Sequence, residues 1–169
     1  MADTFKLSNF FAAKGIDDQG RSFVDYLGFS DEQLEALHNY VQWAFPTLTP
    51  SHCNANAPIL DDEALQHMKR TKDAVYNFRL FLERMIKFYE NNDHWLVEQD
   101  HNHLRITRII ESVSKIIGTG EASQFYVFVT RRNFEAGEPI NEKSINFWRD
   151  ALVKNSSVPA IVDYHLRRQ

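Results

Sequence analysis

The chain has 169 residues, 43% hydrophobic and 25% charged, with 6 Gly and 5 Pro. That excludes low-complexity disorder and allows one domain with a real core. A formal net charge of −4 speaks against a general nucleic-acid binder, which carries a basic surplus. Cys53, the one cysteine, excludes an intrachain disulfide framework and a cysteine-built zinc site, and fits a reducing compartment.

The opening "MADTFKLSNFFAAKG" lacks the apolar core of a secretory signal. No window approaches a membrane-length apolar run, so no span is expected. The expected location is the cytoplasm, or the nucleus in a host that has one. The 13 Phe call for burial and favour an ordered fold.

Residues 4–14 predict a short amphipathic helix with Phe5, Phe10 and Phe11 as buried anchors, broken by "GIDDQG". "RSFVDYLG" predicts a helix of one or two turns stopped by Gly28. In "FSDEQLEALHNYVQWAFP", Ser30 and Gln33 form a capping box, with Asp31 and Glu32 in the dipole-favoured first turn. Leu34, Leu37, Val41 and Phe45 give one stripe and Pro46 the stop; Tyr40 and Trp43 lie off it, so this helix is expected to bury two faces. "PTLTPSHCNANAPIL" over 46–60 is a loop, long enough to be functional or pinned to the body.

Asp61, Asp62 and Glu63 read as an N-cap and first-turn charges. The longest helix is expected over roughly 62–90, with Leu65, Met68, Val75, Phe78, Leu82, Met85, Ile86 and Tyr89 on one face, widened by Phe81 and Phe88. So wide an arc suits a central helix. The next helix runs from about 101 to 117, closed by Gly118, with Ile106, Ile109, Ile110, Val113, Ile116 and Ile117 on one side. "QFYVFVT" fits strand or helix by its residues; a lone strand would have no partner, so helix is expected. "NEKSINFWRDALV" predicts a helix capped by Asn141 with Ile145, Trp148 and Leu152 inward, and the tail a last helical turn or two. The expected fold is all-α: a single domain over 1–169, with six to seven helices around the long one.

His101, Arg105 and Arg108 stand at i, i+4 and i+7 on one strip, continued by Ser112. Two guanidiniums on successive turns can grip a phosphate or carboxylates, and His101 and Asn102 sit near an anion-friendly helix start. The same strip is also what the solvated side of any amphipathic helix looks like. His38 and Gln42, an i, i+4 pair beside Trp43, could wall a pocket or flank a core Trp whose N–H is satisfied. The 7 His show no H-E-x-x-H spacing, and no metal or cofactor is expected. Nucleophile-elbow, P-loop and Rossmann signatures are absent.

Two stretches carry a resemblance. "HNYVQWAFP" at 38–46 and "HNHLRITRIIESV" at 101–113 resemble the N-Y-I-Q-W-L-F-P-like and H-N-x-L-R-I-T-R-I-L-like segments of the opioid growth factor receptor family's conserved domain. The layout between them is similar too: a proline-containing loop with Asn54 and Pro58, then a long helix ending in "KFYE". "SINFWRDALV" is similar to the family's last conserved helix, so the resemblance covers about residues 8–153 in order. Ala44 stands where the family has leucine. The resemblance implies kinship with animal proteins described as receptors for an enkephalin-type peptide that restrain proliferation, associated with the nucleus and its envelope. It also places His101, Asn102, Arg105, Thr107, Arg108 and Gln42 on motif positions whose polar identities helix patterning does not require.

The expected function is therefore a non-enzymatic helical binding module for a peptide, a protein or an anionic small ligand. Its candidate binding residues are His101, Asn102, Arg105 and Arg108, with His38, Gln42 and Trp43. Two alternatives stay open: an enzyme on a phosphorylated or nucleotide substrate with His101 as acid/base, and a structural protein-interaction domain using exposed aromatics.

Overall fold

The structure, a computed structural model, describes residues 4–155. Among them are nine α-helices, and the only β pairing is an isolated bridge between Ile16 and Ser22. The all-α expectation holds. No described helix is long and apolar enough to cross a membrane. The tail read as a last helical turn lies, from residue 156 on, outside the described residues. The chain divides into two compact units, Met1–Asp93 and His94–Gln169.

The first unit holds α1 (Lys6–Phe11), α2 (Phe23–Leu27), α3 (Asp31–Ala36), α4 (Val41–Ala44), α5 (Asp62–Arg70) and α6 (Ala74–Asn91). Most are too short to persist alone, so caps and ring packing hold them. Ser22 with Asp25, and Ser30 with Gln33, make reciprocal capping boxes. In α1, Leu7, Phe10 and Phe11 are buried at i, i+3 and i+4. Phe10 meets the rings of Phe11, Phe23, Tyr26 and Trp43, and the network runs on through Phe78 and Phe81 of α6. Phe5 is a correction: it is 48% exposed and lies against His67, ring centroids 4.3 Å apart. It precedes the first helical turn, outside the i, i+3 face that turns inward.

Two expected helices are each broken in two, which is why nine are found rather than six or seven. The run from 31 to 45 stops at Leu37, whose ψ of 127° is extended. The Tyr40 hydroxyl donates to the Leu34 carbonyl at 3.1 Å, the acceptor that residue 38's amide would use in a continuous helix. The Asn39 carbonyl is turned outward as well, accepting from Arg21 Nη2 and Asn54 Nδ2. Tyr40 and Trp43, which no single helical face could bury together with Val41, are thereby all buried.

The single helix expected over 62–90 is likewise corrected. It breaks at Thr71–Asp73, where Thr71 is extended and Asp73 has φ of 65°. The Thr71 hydroxyl and amide both donate to the His67 carbonyl, at 2.7 and 2.9 Å, a back-bond that bends helices. Aspartate is among the few residues that tolerate the left-handed turn. The central element is thus α6 alone, burying Phe78, Phe81, Leu82, Met85, Phe88 and Tyr89. Around it pack α1, α2 and α5. Arg84 and Asn92 tie its far end to Asp31 at the start of α3, at 2.6 and 2.7 Å.

The second unit is simpler. α7 (His101–Ile116), α8 (Thr119–Glu135) and α9 (Glu142–Asn155) pack each against the other two. Asp100 caps α7 through the Asn102 amide at 2.8 Å, and Gly118, at φ of 146°, ends it. "QFYVFVT" lies wholly within α8. Asn141 Oδ1 accepts from the Ser144 amide at 2.9 Å, capping α9 as expected. Ile106, Ile109, Ile110, Val113 and Ile116 form the aliphatic seam, joined by Phe125, Val129, Trp148 and Leu152.

Candidate functional site

In the first unit, the turn at 16–18, the wall made by Trp43, the loop at 50–59 and the start of α5 line a cleft of about 820 Å³. Each part is fixed by its own hydrogen bonds. Asp17, buried, accepts the amides of Gln19 and Arg21 on Oδ1 and the Tyr26 hydroxyl and Arg21 Nε on Oδ2, all within 2.9 Å. Burial and the neighbouring Asp17 push the Tyr26 phenol far above its usual range, so it stays a donor. The long loop is pinned, as its length suggests. The Leu60 amide donates to the Thr47 carbonyl at 2.9 Å, and buried Asn54 spans Asp18 and the Asn39 carbonyl.

Asp18 joins these parts. Its carboxylate accepts Trp43 Nε1 at 2.6 Å, Asn54 Nδ2 at 3.0 Å and Gln19 Nε2 at 3.1 Å. Desolvation pulls its pKa up, but the donors of Asn54, Gln19 and Trp43 outweigh it and hold Asp18 below the ordinary carboxylate value. Asp17 is offset by Arg21 at 2.6 Å. That leaves Asp18, Asp61 and Glu63 facing one ammonium, Lys6, around the lining. Exposed Ile16 and Ile59 supply apolar surface beside them. The cleft is therefore electronegative with apolar flanks.

Among the expected binding residues of this unit, Trp43 lines the cleft, with its N–H satisfied by Asp18. Gln42 is buried in α4, its Oε1 without a hydrogen-bond partner. His38 is exposed and sits in the break between α3 and α4, so the helical i, i+4 pairing of His38 with Gln42 does not form.

The other four candidates lie in the second unit, on α7. Asn102 is fully buried and Arg105 only 6% exposed, and Arg105 Nη1 donates to Asn102 Oδ1 at 3.3 Å. His101 and Arg108 are half-buried, and Ser112 is buried. The strip is thus not a solvated helix side; Leu104, 68% exposed, marks that side. Helix patterning could not see this, because α7 buries a polar arc as well as its isoleucines.

Helix spacing gives no binding role to Asp18 or His103. Asp18 lay in a stretch read only as a helix breaker. His103 is buried, with Nε2 2.9 Å from the Trp95 carbonyl and Nδ1 3.2 Å from Ser144 Oγ. Trp148 Nε1 donates to its carbonyl at 2.9 Å. Its place two residues after His101, off the chosen strip, was the available signal.

Comparison with known proteins returns one family: residues 22–164 match the model described as opioid growth factor receptor conserved region. Opioid growth factor receptor-like protein 1 of Mus musculus is 33% identical over 103 residues, covering 50% of this chain and 22% of that protein. The Rattus norvegicus protein of that name gives the same figures, and the Xenopus tropicalis one is 33% identical with 20% of its length covered. The chain thus spans about a fifth of these relatives. No solved structure matches.

Proposed function

The chain belongs to the opioid growth factor receptor conserved-region family, and on that premise we propose that it is a peptide-binding module whose ligand occupies the cleft of the first unit. The observation that carries this reading is the cleft itself, about 820 Å³ with Asp18, Asp61 and Glu63 beside exposed Ile16 and Ile59. Pockets of this size with a few fixed polar groups are the usual place for a ligand. The charge of the lining favours a cationic group over the anion expected from the α7 strip. A peptide's free amino terminus, or a basic side chain, would meet the carboxylates while its apolar side chains lie along Ile16 and Ile59.

The family's name speaks of an opioid growth factor, so the probe is an enkephalin-type pentapeptide with a free amino terminus. Fluorescence anisotropy with a label at the carboxyl end is expected to report saturable binding. N-acetylation of the peptide, or Asp18→Asn, should weaken it about fivefold, the scale of one solvent-accessible charge pair. Equal binding of the acetylated and free peptides would sink the charge-recognition reading. No binding of either would sink the peptide reading at this cleft.

The burial of Asn102 and Arg105, and the bond between them, supports a framework part for the α7 strip instead of direct ligand contact. His101, Asn102, Arg105 and Arg108 as an anion grip is the competing proposal, and Arg105→Ala separates the two.

A further inference from the structure

We propose that Ser144 is a nucleophile that takes the acyl group of short-chain carboxylic esters, with His103 as its base, in a second pocket that the peptide reading does not use. The pocket, about 240 Å³, lies wholly in the second unit; Asp100, His103, Leu104, Lys143, Ser144 and Phe147 are among its lining residues.

The chemistry follows from what each ring nitrogen of His103 faces. Nε2 lies 2.9 Å from the Trp95 carbonyl, which can only accept, so Nε2 carries a proton. With the ring neutral, Nδ1 then holds a bare lone pair, and 3.2 Å away stands Ser144 Oγ, whose hydroxyl donates to it. That is a nucleophile, a base within hydrogen-bond reach, and a third group orienting the base. His103 is buried, 3% exposed, and fixed further by Trp148, whose ring stands edge-on at 5.8 Å. Ser144, by contrast, is half-buried and reaches the pocket.

The surroundings suit an acyl transfer. Ser144 lies in the first turn of α9, a helix of 14 residues, where the dipole favours developing negative charge. Lys143 lines the same pocket, its ammonium 5.8 Å from the centre of the Phe147 ring, and would stabilise a tetrahedral oxyanion. Asp100, the pocket's carboxylate, is already engaged by the amide and side chain of Asn102, both at 2.8 Å. Leu104 and Phe147, 68% and 44% exposed, give the pocket an apolar edge that suits a short acyl chain. In the step, Oγ bonds to the carbonyl carbon and its proton passes to His103 Nδ1. The ester C–O bond then breaks and the alcohol leaves with that proton, giving acyl-Ser144; water discharges it by the same route.

The test uses the full chain and a small alkyl fluorophosphonate, which forms an Oγ–P bond with loss of fluoride. Intact-mass and peptide mapping should place a single adduct on Ser144, absent from Ser144→Ala, with labelling about a hundredfold faster than in His103→Gln. No adduct, or an adduct that survives in Ser144→Ala, overturns the proposal. Because His103 also holds Trp95, its replacement can unfold the unit, so Ser144→Cys supplies a second reading. The new thiol should react with iodoacetamide at neutral pH about tenfold faster than exposed Cys53 of the same chain. A rate equal to or below that of Cys53 means that His103 does not activate this position, and the proposal falls.

Discussion

The two units reach burial by opposite routes. Among the described residues, the second has three helices of 16, 17 and 14 residues around an aliphatic seam. The first uses five helices of nine residues or fewer and one of 18, held by capping boxes and a connected set of rings. Short helices place large side chains at angles that one long rod cannot, and aromatic rings tolerate those angles through edge-on contact. The cost is dependence on particular hydrogen bonds: Tyr40 to Leu34, Asp17 to its four donors, Asn54 to Asp18. Long helices need fewer such devices, since their periodic face does the organising. The cleft of the first unit fits this contrast, because loops pinned to short helices leave concave surface where packed rods leave little.

The largest expected effect probes the ring network. Phe81→Ala, at a site in contact with Tyr26, Tyr40 and Phe45, should lower stability by about 3–5 kcal/mol in urea unfolding. Ile110→Val in the aliphatic seam should cost only about 1 kcal/mol. Comparable losses would mean that the rings are no more interlocked than the isoleucines. Next comes Arg105→Ala, expected to cost about 1–3 kcal/mol because it removes a buried hydrogen bond to Asn102 Oδ1. A variant with unchanged melting but lost anion binding would instead make Arg105 a ligand group.

Ser30→Ala removes one capping box and should cost about 1 kcal/mol. If residues 1–169 act as a single domain, that loss shifts one common unfolding transition. Two transitions, of which only one moves, would separate the units. Smallest is Asp73→Gly, expected to stabilise by about 0.5–1 kcal/mol, since glycine adopts the left-handed turn at φ of 65° without penalty. No gain in the urea midpoint would show that the aspartate carboxylate contributes there as much as the turn costs.

Asp18 adds a pH dependence whose sign follows from its lowered pKa. The unfolded chain takes up this proton before the folded one does. The contribution is therefore present above the unfolded value of about 3.9 and is lost as pH falls through the lower folded value. Asp18→Asn should flatten the acid limb of stability against pH. An unchanged limb would mean that the three donors do not favour the charged form.

Legibility in the sequence followed the same division. The isoleucine seam of α7, its stop at Gly118 and the Asn141 cap of α9 could be read from spacing, because a long helix repeats its signal several times. The breaks at Leu37 and Thr71 could not. Both depend on side chains that divert a carbonyl, Tyr40 to Leu34 and Thr71 to His67, and apolar periodicity runs straight through them. Phe5 was misplaced because one ring beyond a helix start carries no phase. For the candidate sites, Trp43 was legible as a wall, while Asp18 and Asn54 were not, since they meet only after 36 residues of chain have folded back. Arg105 and Asn102 were legible as positions but not as buried ones.

The Tyr40 hydroxyl has a reach beyond its own bond. It keeps residues 31–44 as two pieces, and that choice decides which way the indole of Trp43 points. The indole holds Asp18, and Asp18 holds Asn54 and the loop behind it. One phenolic oxygen thus acts as a latch on the shape of a cleft built from other residues. Tyr40→Phe, which alters no residue of that cleft's lining, is the lightest touch by which the cleft could be made to change form.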